Sequence, residues 1–266
     1  MKWLAPVAAA CAAASVGTAC GGATSAADAV AKAADTTIDA GSANVHVVTH
    51  VAFRGKKLRS VGDGSFDFAR RHGRLSLSAP AGGATEDEVF SNGVEYVRSD
   101  SVVALPGGKH WMKVDFAKIQ AKLGTTELRQ PSADPTATLD QLRVAAEAEE
   151  VGRAKVGDVD TTRYHAVVDL RQLRGAGRTR ARHGVAKLIR LLGRPTIPIE
   201  VWIDRDQLIR RERYSVTQTV PSFGRVSITL QLDLHDFGTP VRVQLPHAAD
   251  VYDATDANLQ QLRETP

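Results

Sequence analysis

Cys20 is the first side chain in this 266-residue chain that invites chemistry. It sits among small residues in VGTACGGATSAADA, behind an apolar run and ahead of two glycines. Its only companion is Cys11, so no pair is left for the body of the chain, and modification of a single thiol is what Cys20 offers. His46 and His50 fall on one face of a strand pattern at i, i+4, too far apart to share a metal ion without a third ligand. Asp134, Asp140, Asp204 and Asp206 stand in loops or at helix starts, where a short carboxylate serves turns and caps. CxxC, HExxH, a Gly-rich loop ending in Lys-Ser/Thr and GxSxG are all absent. Catalysis needs a nucleophile and a base brought together. Nothing here nominates that pair, and no enzyme, cofactor or metal is expected.

The setting of Cys20 explains its use. Met1-Lys2, an Ala-rich run from Trp3 to about Val16, and then Gly17-Thr18-Ala19 have the layout of an export signal. The run carries Pro6 and is shorter than the roughly 20 apolar residues of a membrane-spanning helix. Val16-Gly17-Thr18-Ala19-Cys20 resembles the lipobox of bacterial lipoproteins, with Gly17 where a branched aliphatic residue is usual. The expected organisation is a signal peptide over 1–19, lipidation at Cys20, a flexible tether over 20–27 and a single domain over 28–266. That places the protein on the extracytoplasmic face of the cell membrane. Ordinary secretion, with cleavage at the same bond, is the alternative.

The elements follow from periodicity. Val30, Ala33, Ala34 and Ile38 recur at helical spacing between Ser25 and Ala40, and Gly41 is a stop signal. The period then becomes two. ANVHVVTHVAFRG puts Val45, Val47, Val51 and Phe53 on one face, and segments near 57–69, 73–79, 86–91 and 94–99 continue as strands separated by Asp-Gly and Asn-Gly turns. HWMKVDFAKIQAKLG passes from strand to helix, TATLDQLRVAAEA is helical, and strands resume at 147–153 and 159–169. RVSITLQLDLHDFG alternates strictly: Val226, Ile228, Leu230, Leu232 and Leu234 face one side, as in a half-buried antiparallel strand. IPIEVWID and RDQLIRRERYSVTQTV form a second strand pair. One apolar face on so many strands must be covered, and a sheet this large tends to curl. The fold class expected is α+β: a large curved antiparallel sheet, a half-barrel, wrapped around a few helices.

Charge excludes little. Thirty-four basic against 30 acidic residues give a net charge of +4, and no nucleic-acid partner is expected. The basic residues do cluster. Arg174, Arg178, Arg180, Arg182, Lys187, Arg190 and Arg194 fall in one nearly acid-free run, read either as a solvated helix with a basic entry or as a surface for anionic headgroups or a membrane protein.

EVFSNGVEYVRS followed by GGKHWMKVDFAKI, then DPTATLDQLRVAAEAEEVGRAKVGDVDTTRYHAVVDL, IPIEVWIDRDQLIRR and LHDFGTPVRVQLP occur in that order over roughly residues 25 to 252. Together they resemble the LolA-like lipoproteins of actinobacteria, the LppX/LprG type. The resemblance implies a half-barrel with a cavity between sheet and helices, in which lipids or lipid-conjugated molecules are carried or presented. Strand parity then picks Val47, Val51, Phe53, Leu75, Leu77, Phe90, Tyr96, Val201, Tyr214, Ile228, Leu230 and Leu232 as the lining, with Trp111 and Trp202 as core or rim. The alternative partner is an extracellular segment of a membrane protein, gripped by a regulatory module. The family has glycine in the turn WIDxxGL where this chain has Gln207, and a positive φ there costs glutamine about 1 kcal/mol.

Overall fold

The computed structural model describes residues 25–264, apart from 79–84, 101–104, 124–133, 144, 146, 172–185, 187–188, 191–192 and 221–223. The elements are α1 (Ala26–Asp39), β1 (Ser42–Phe53), β2 (Lys56–Asp67), β3 (His72–Ser78), β4 (Thr85–Ser91), β5 (Val94–Ser99), β6 (Trp111–Asp115), α2 (Phe116–Leu123) and α3 (Pro135–Leu142). They continue with β7 (Glu147–Val156), β8 (Val159–Asp169), β9 (Thr196–Asp204), β10 (Ile209–Val220), β11 (Gly224–His235), β12 (Val251–Asp253) and α4 (Thr255–Glu264). The signal peptide and Cys20 lie outside the described residues. α1 includes Ala26 and Ala27, which the sequence reading gave to the tether.

The twelve strands of the described residues form one sheet in the order β12-β6-β5-β4-β3-β2-β1-β11-β10-β9-β8-β7. Neighbours are antiparallel except β12 and β6, which run parallel. The chain therefore builds outward from β1 to β6, later builds β7 to β11 back to the centre, and joins the halves where β1 pairs with β11. To reach β12 it must then cross from the sheet centre to the far edge, and residues 236–250 form that strap.

Local chemistry sets the helices. The Ser25 hydroxyl accepts from the Asp28 N–H and caps α1, and Gly41, at φ +83°, ends it. Val30, Ala33, Ala34 and Thr37 are the buried stripe. Asp134 caps α3 through the Thr136 N–H, with Pro135 in the first turn. α3 stops at Leu142, short of the helical pattern in the sequence, and Leu139 and Leu142 are fully buried against α1 and the sheet.

Curvature has a residue-level cause. A Cβ on Gly62 would meet the Ser76 carbonyl oxygen and lie 2.8 Å from Leu77 Cα, and one on Gly64 would lie 3.1 Å from Leu75 Cα. β2 and β3 thus approach in a way only glycine permits. The main core joins α1, α3 and one face of β1–β4 and β8–β11, and a smaller cluster of Val114, Ile119, Ala254 and Leu259 lies under α2 and α4 at the β6 edge.

Candidate functional site

Directly paired residues of an antiparallel sheet share a face, so the register fixes which side chains look toward the helices. Val201, Glu212, Leu232, Val47, Gly62 and Leu77 form one such row across β9, β10, β11, β1, β2 and β3. Ile199, Tyr214, Leu230 and Thr49 form the next, and Val216, Ile228, Val51 and Leu58 the next. Phe90, Gly73, Phe66 and Ala43 lie on the same face, with the Phe66 and Phe90 rings 5.3 Å apart.

Burial along these rows is graded. Val201, Leu232 and Val47 are fully buried, whereas Val51, Phe53 and Ile228 are half-buried and Leu58 is 48% exposed. The described helices α1 and α3 cover the rows near the β10 start. Apolar surface of the same face continues past them toward the β1–β2 hairpin.

All the lining positions picked from the sequence share this inner face except Tyr96. Tyr96 pairs with Val89, and Val89 follows through Arg74 and Ser65 to Asn44, a row on the opposite side. The inward residues of β5 are Glu95 and Val97. The reason is the strap: Val243 crosses the outer face near Val89 and Trp111, so β4–β6 carry apolar residues on both sides and alternation stops indicating which is inside. Trp202 is also on the outer face, held between the guanidinium groups of Arg163 and Arg211 at 5.3 and 5.7 Å.

Two buried inward carboxyls went unnoticed in the sequence. Glu212 is fully buried, and burial first, then the nearby Asp134, pushes its pKa up to about 8. The Thr138 hydroxyl opposes this, yet neither carboxyl oxygen has a hydrogen bond of normal geometry. Burial, then Glu95 and Glu86, raise Glu88 to about 9, and its Oε2 is unpartnered. Both are neutral acids at pH 7, which is how they sit in an apolar face. The same desolvation, with Glu212 beside it, raises Tyr214. The signal available in the sequence was parity: Glu212 stands two residues before Tyr214 and Glu88 two before Phe90.

On the outer face a cavity of about 1000 Å³ lies between strap and sheet, lined among others by Arg74, Asp87, Arg98, Trp111 and Arg242. Arg98 pairs with Asp87 at 2.5 Å and lies over the Trp111 ring. Of the basic run, Arg174, Arg178, Arg180, Arg182 and Lys187 lie outside the described residues. Arg190 is exposed and helical, and Arg194 donates to the Ser215 carbonyl at 2.7 Å. Among the described residues no group of three or more His, Cys, Asp or Glu is placed to hold a metal, and no helix is long and apolar enough to cross a membrane.

No family model matches the chain. It is 24% identical over 175 residues to an uncharacterized 31.2 kDa protein of Streptomyces griseus, covering 63% of this chain and 54% of that one. The chain thus spans about half the length of the curated relative it matches. Among solved structures it is similar to LprF from Mycobacterium bovis, with a TM-score of 0.42 and 12% identity over 83% of this chain and 96% of that one. It is similar also to the lipoprotein LppX of Mycobacterium tuberculosis, with a TM-score of 0.37 and 13% identity over 81% and 98%. It is similar too to a LolA superfamily protein of Nitrosomonas europaea, with a TM-score of 0.33 and 10% identity over 80% of this chain and 95% of that one.

Proposed function

We propose that the protein is a lipid-binding lipoprotein of the cell envelope, anchored through acyl chains on Cys20, whose inner sheet face takes the apolar part of a lipid or lipid-conjugated molecule and carries or presents it. The observation that supports this is the graded inner face. One continuous apolar surface is dry under α1 and α3 and at Leu230, Val216 and Val226, while Val51, Phe53 and Ile228 beside them are half-buried and Leu58 is exposed. Each methylene placed on such a surface is worth about 0.8 kcal/mol, so an acyl chain binds without a charged anchor. The domain organisation drawn from the sequence, with residues after the tether acting as one lipid-binding unit, belongs to this proposal.

The test is lipid extraction and mass spectrometry of the full chain purified without detergent. Stoichiometric acyl lipid is expected, falling in Val51→Trp and Ile228→Trp variants, which fill the half-buried part of the face while leaving the dry core alone. A folded protein that yields no lipid ends the proposal. Intact-mass measurement from a lipoprotein-processing host checks the anchor separately, and an unmodified Cys20 thiol removes that part alone.

A second reading is a regulatory module that grips an extracellular segment of a membrane protein. The outer cavity favours it, because Arg74 and Arg242 line it without an ion-pair partner among the described residues. In that case Arg74→Glu with Arg242→Glu abolishes partner capture while lipid content stays constant.

A further inference from the structure

β1 and β2 join through the two-residue turn Arg54–Gly55, with both residues at positive φ, +45° and +75°. This is the tight hairpin geometry that projects a short, rigid tip. Arg54, Lys56, Lys57 and Arg59 on this tip are all exposed, and Arg225, next to it at the start of β11, is exposed as well. Arg190 and Arg194 lie at the same end of the sheet, placed there by the bond from Arg194 to Ser215, whose row runs on through Thr229 and His50 to Arg59.

The sequence has no Asp or Glu in 51–62, 186–198 or 215–230. Lys56, Lys57, Arg59 and Arg225 have no ion-pair partner among the described residues, and the acid at the end of β8, Asp169, is held by Arg171 at 2.8 Å. The cations flank apolar side chains: Leu58 is 48% exposed, and Val51 and Phe53 are half-buried.

We infer that this end of the half-barrel docks on an anionic lipid bilayer, with Leu58 and Phe53 against the acyl boundary and Arg54, Lys56, Lys57, Arg59 and Arg225 among the headgroups. Exposed apolar side chains set between exposed cations match a charged membrane interface, whereas a nucleic-acid surface has no use for Leu58. Docking here deepens the lipid-binding reading and rests on it for its purpose: the end that meets the bilayer is the end at which inner-face Leu58 is exposed and Val51, Phe53 and Ile228 are only half-buried, so an acyl chain passes between membrane and protein without crossing water.

The experiment is co-sedimentation of the full chain with vesicles of phosphatidylcholine alone and of phosphatidylcholine with phosphatidylglycerol. The ratio of the two partition coefficients is the readout, which cancels any contribution of the N-terminal segment. The ratio is expected to be large, to collapse in high salt, and to fall about a hundredfold in the variant combining Lys56→Gln, Lys57→Gln and Arg59→Gln, at roughly fivefold per cation. A charge-preserving variant, Lys56→Arg with Lys57→Arg and Arg59→Lys, keeps it, as does Arg153→Gln on the distant β7. A wild-type ratio near one, an unchanged ratio in the glutamine variant, or stronger retention on a DNA duplex than on the anionic vesicles overturns the inference. Lipid extracted from the same samples separates the two readings. Cargo without anionic preference sinks only the docking, and anionic preference without cargo sinks only the carrier.

Discussion

Glu212 on β10 and Leu232 on β11 are direct cross-strand partners, so a carboxyl sits in a row of aliphatic side chains between Val201 and Val47, all of them fully buried. An ionised carboxylate there is unaffordable, and the fold holds the acid neutral.

The consequence is a stability that falls with rising pH. The folded pKa of Glu212 is raised to about 8 from 4.5, so the folded state binds more protons than the unfolded one between those values. Stability is highest below the unfolded pKa and is lost as pH climbs through 8. Glu88, raised to about 9, acts in the same direction. Glu212→Gln should flatten the slope and stabilise the protein at pH 7 by on the order of 3 kcal/mol. Urea melts at pH 5, 7 and 9 measure it; parallel pH profiles for variant and wild type would contradict the account.

Gln207 stands at φ +62° in the turn between β9 and β10, donating its N–H to the Asp204 carbonyl. The left-handed backbone expected from the missing glycine is therefore present, and Gln207→Gly should raise stability by about 0.5–1 kcal/mol, the relief of strain less the added freedom of the unfolded chain. A thermal melt that drops instead shows the glutamine side chain to be contributing.

Gly62→Ala should be far more damaging. The added Cβ meets backbone of β3 rather than a movable side chain, and a cost above ~4 kcal/mol is expected, seen as loss of the cooperative transition. Gly55→Ala, at φ +75° with open space around it, should cost only about 1 kcal/mol. Equal effects from both would show that close strand approach is not what Gly62 provides.

Trp202 is clasped by Arg163 and Arg211, and Arg211 is itself fixed by Asp233 at 2.5 Å. Asp233→Ala should free Arg211 and expose one side of the indole, shifting its fluorescence to longer wavelength and costing about 1–2 kcal/mol. No change in emission would mean that Arg163 alone suffices to shield the ring.

Local signals carried far along this chain. β11 was legible because Val226 to Leu234 alternate without a break, and α1 because Val30, Ala33 and Ala34 repeat at helical spacing between a serine cap and Gly41. Most of the inner face followed from the same parity. The reading of Tyr96 failed for a non-local reason: the path of residues 236–250 covers the outer face of β4–β6, so Tyr96 is apolar without being inside. The inward acids Glu88 and Glu212 were missed because side-chain type suggests charge, and their neutrality comes from neighbours on other strands. The hairpin cations belong to two short segments, 54–59 and 225, that only the β1–β11 pairing brings together.

That central pairing also constrains when the protein can fold. β1 is among the earliest strands synthesised and β11 among the last, so the middle of the sheet is a contact between opposite ends of the chain. Long-range pairings of this kind form slowly, because the intervening segment must be closed into a loop first. The β1–β2 hairpin can form early, but its free edge waits for the arrival of His235, and the β6 edge waits longer still for Val251. Until then the nascent chain has no complete sheet, a state in which it can be threaded through a narrow channel without first being unfolded.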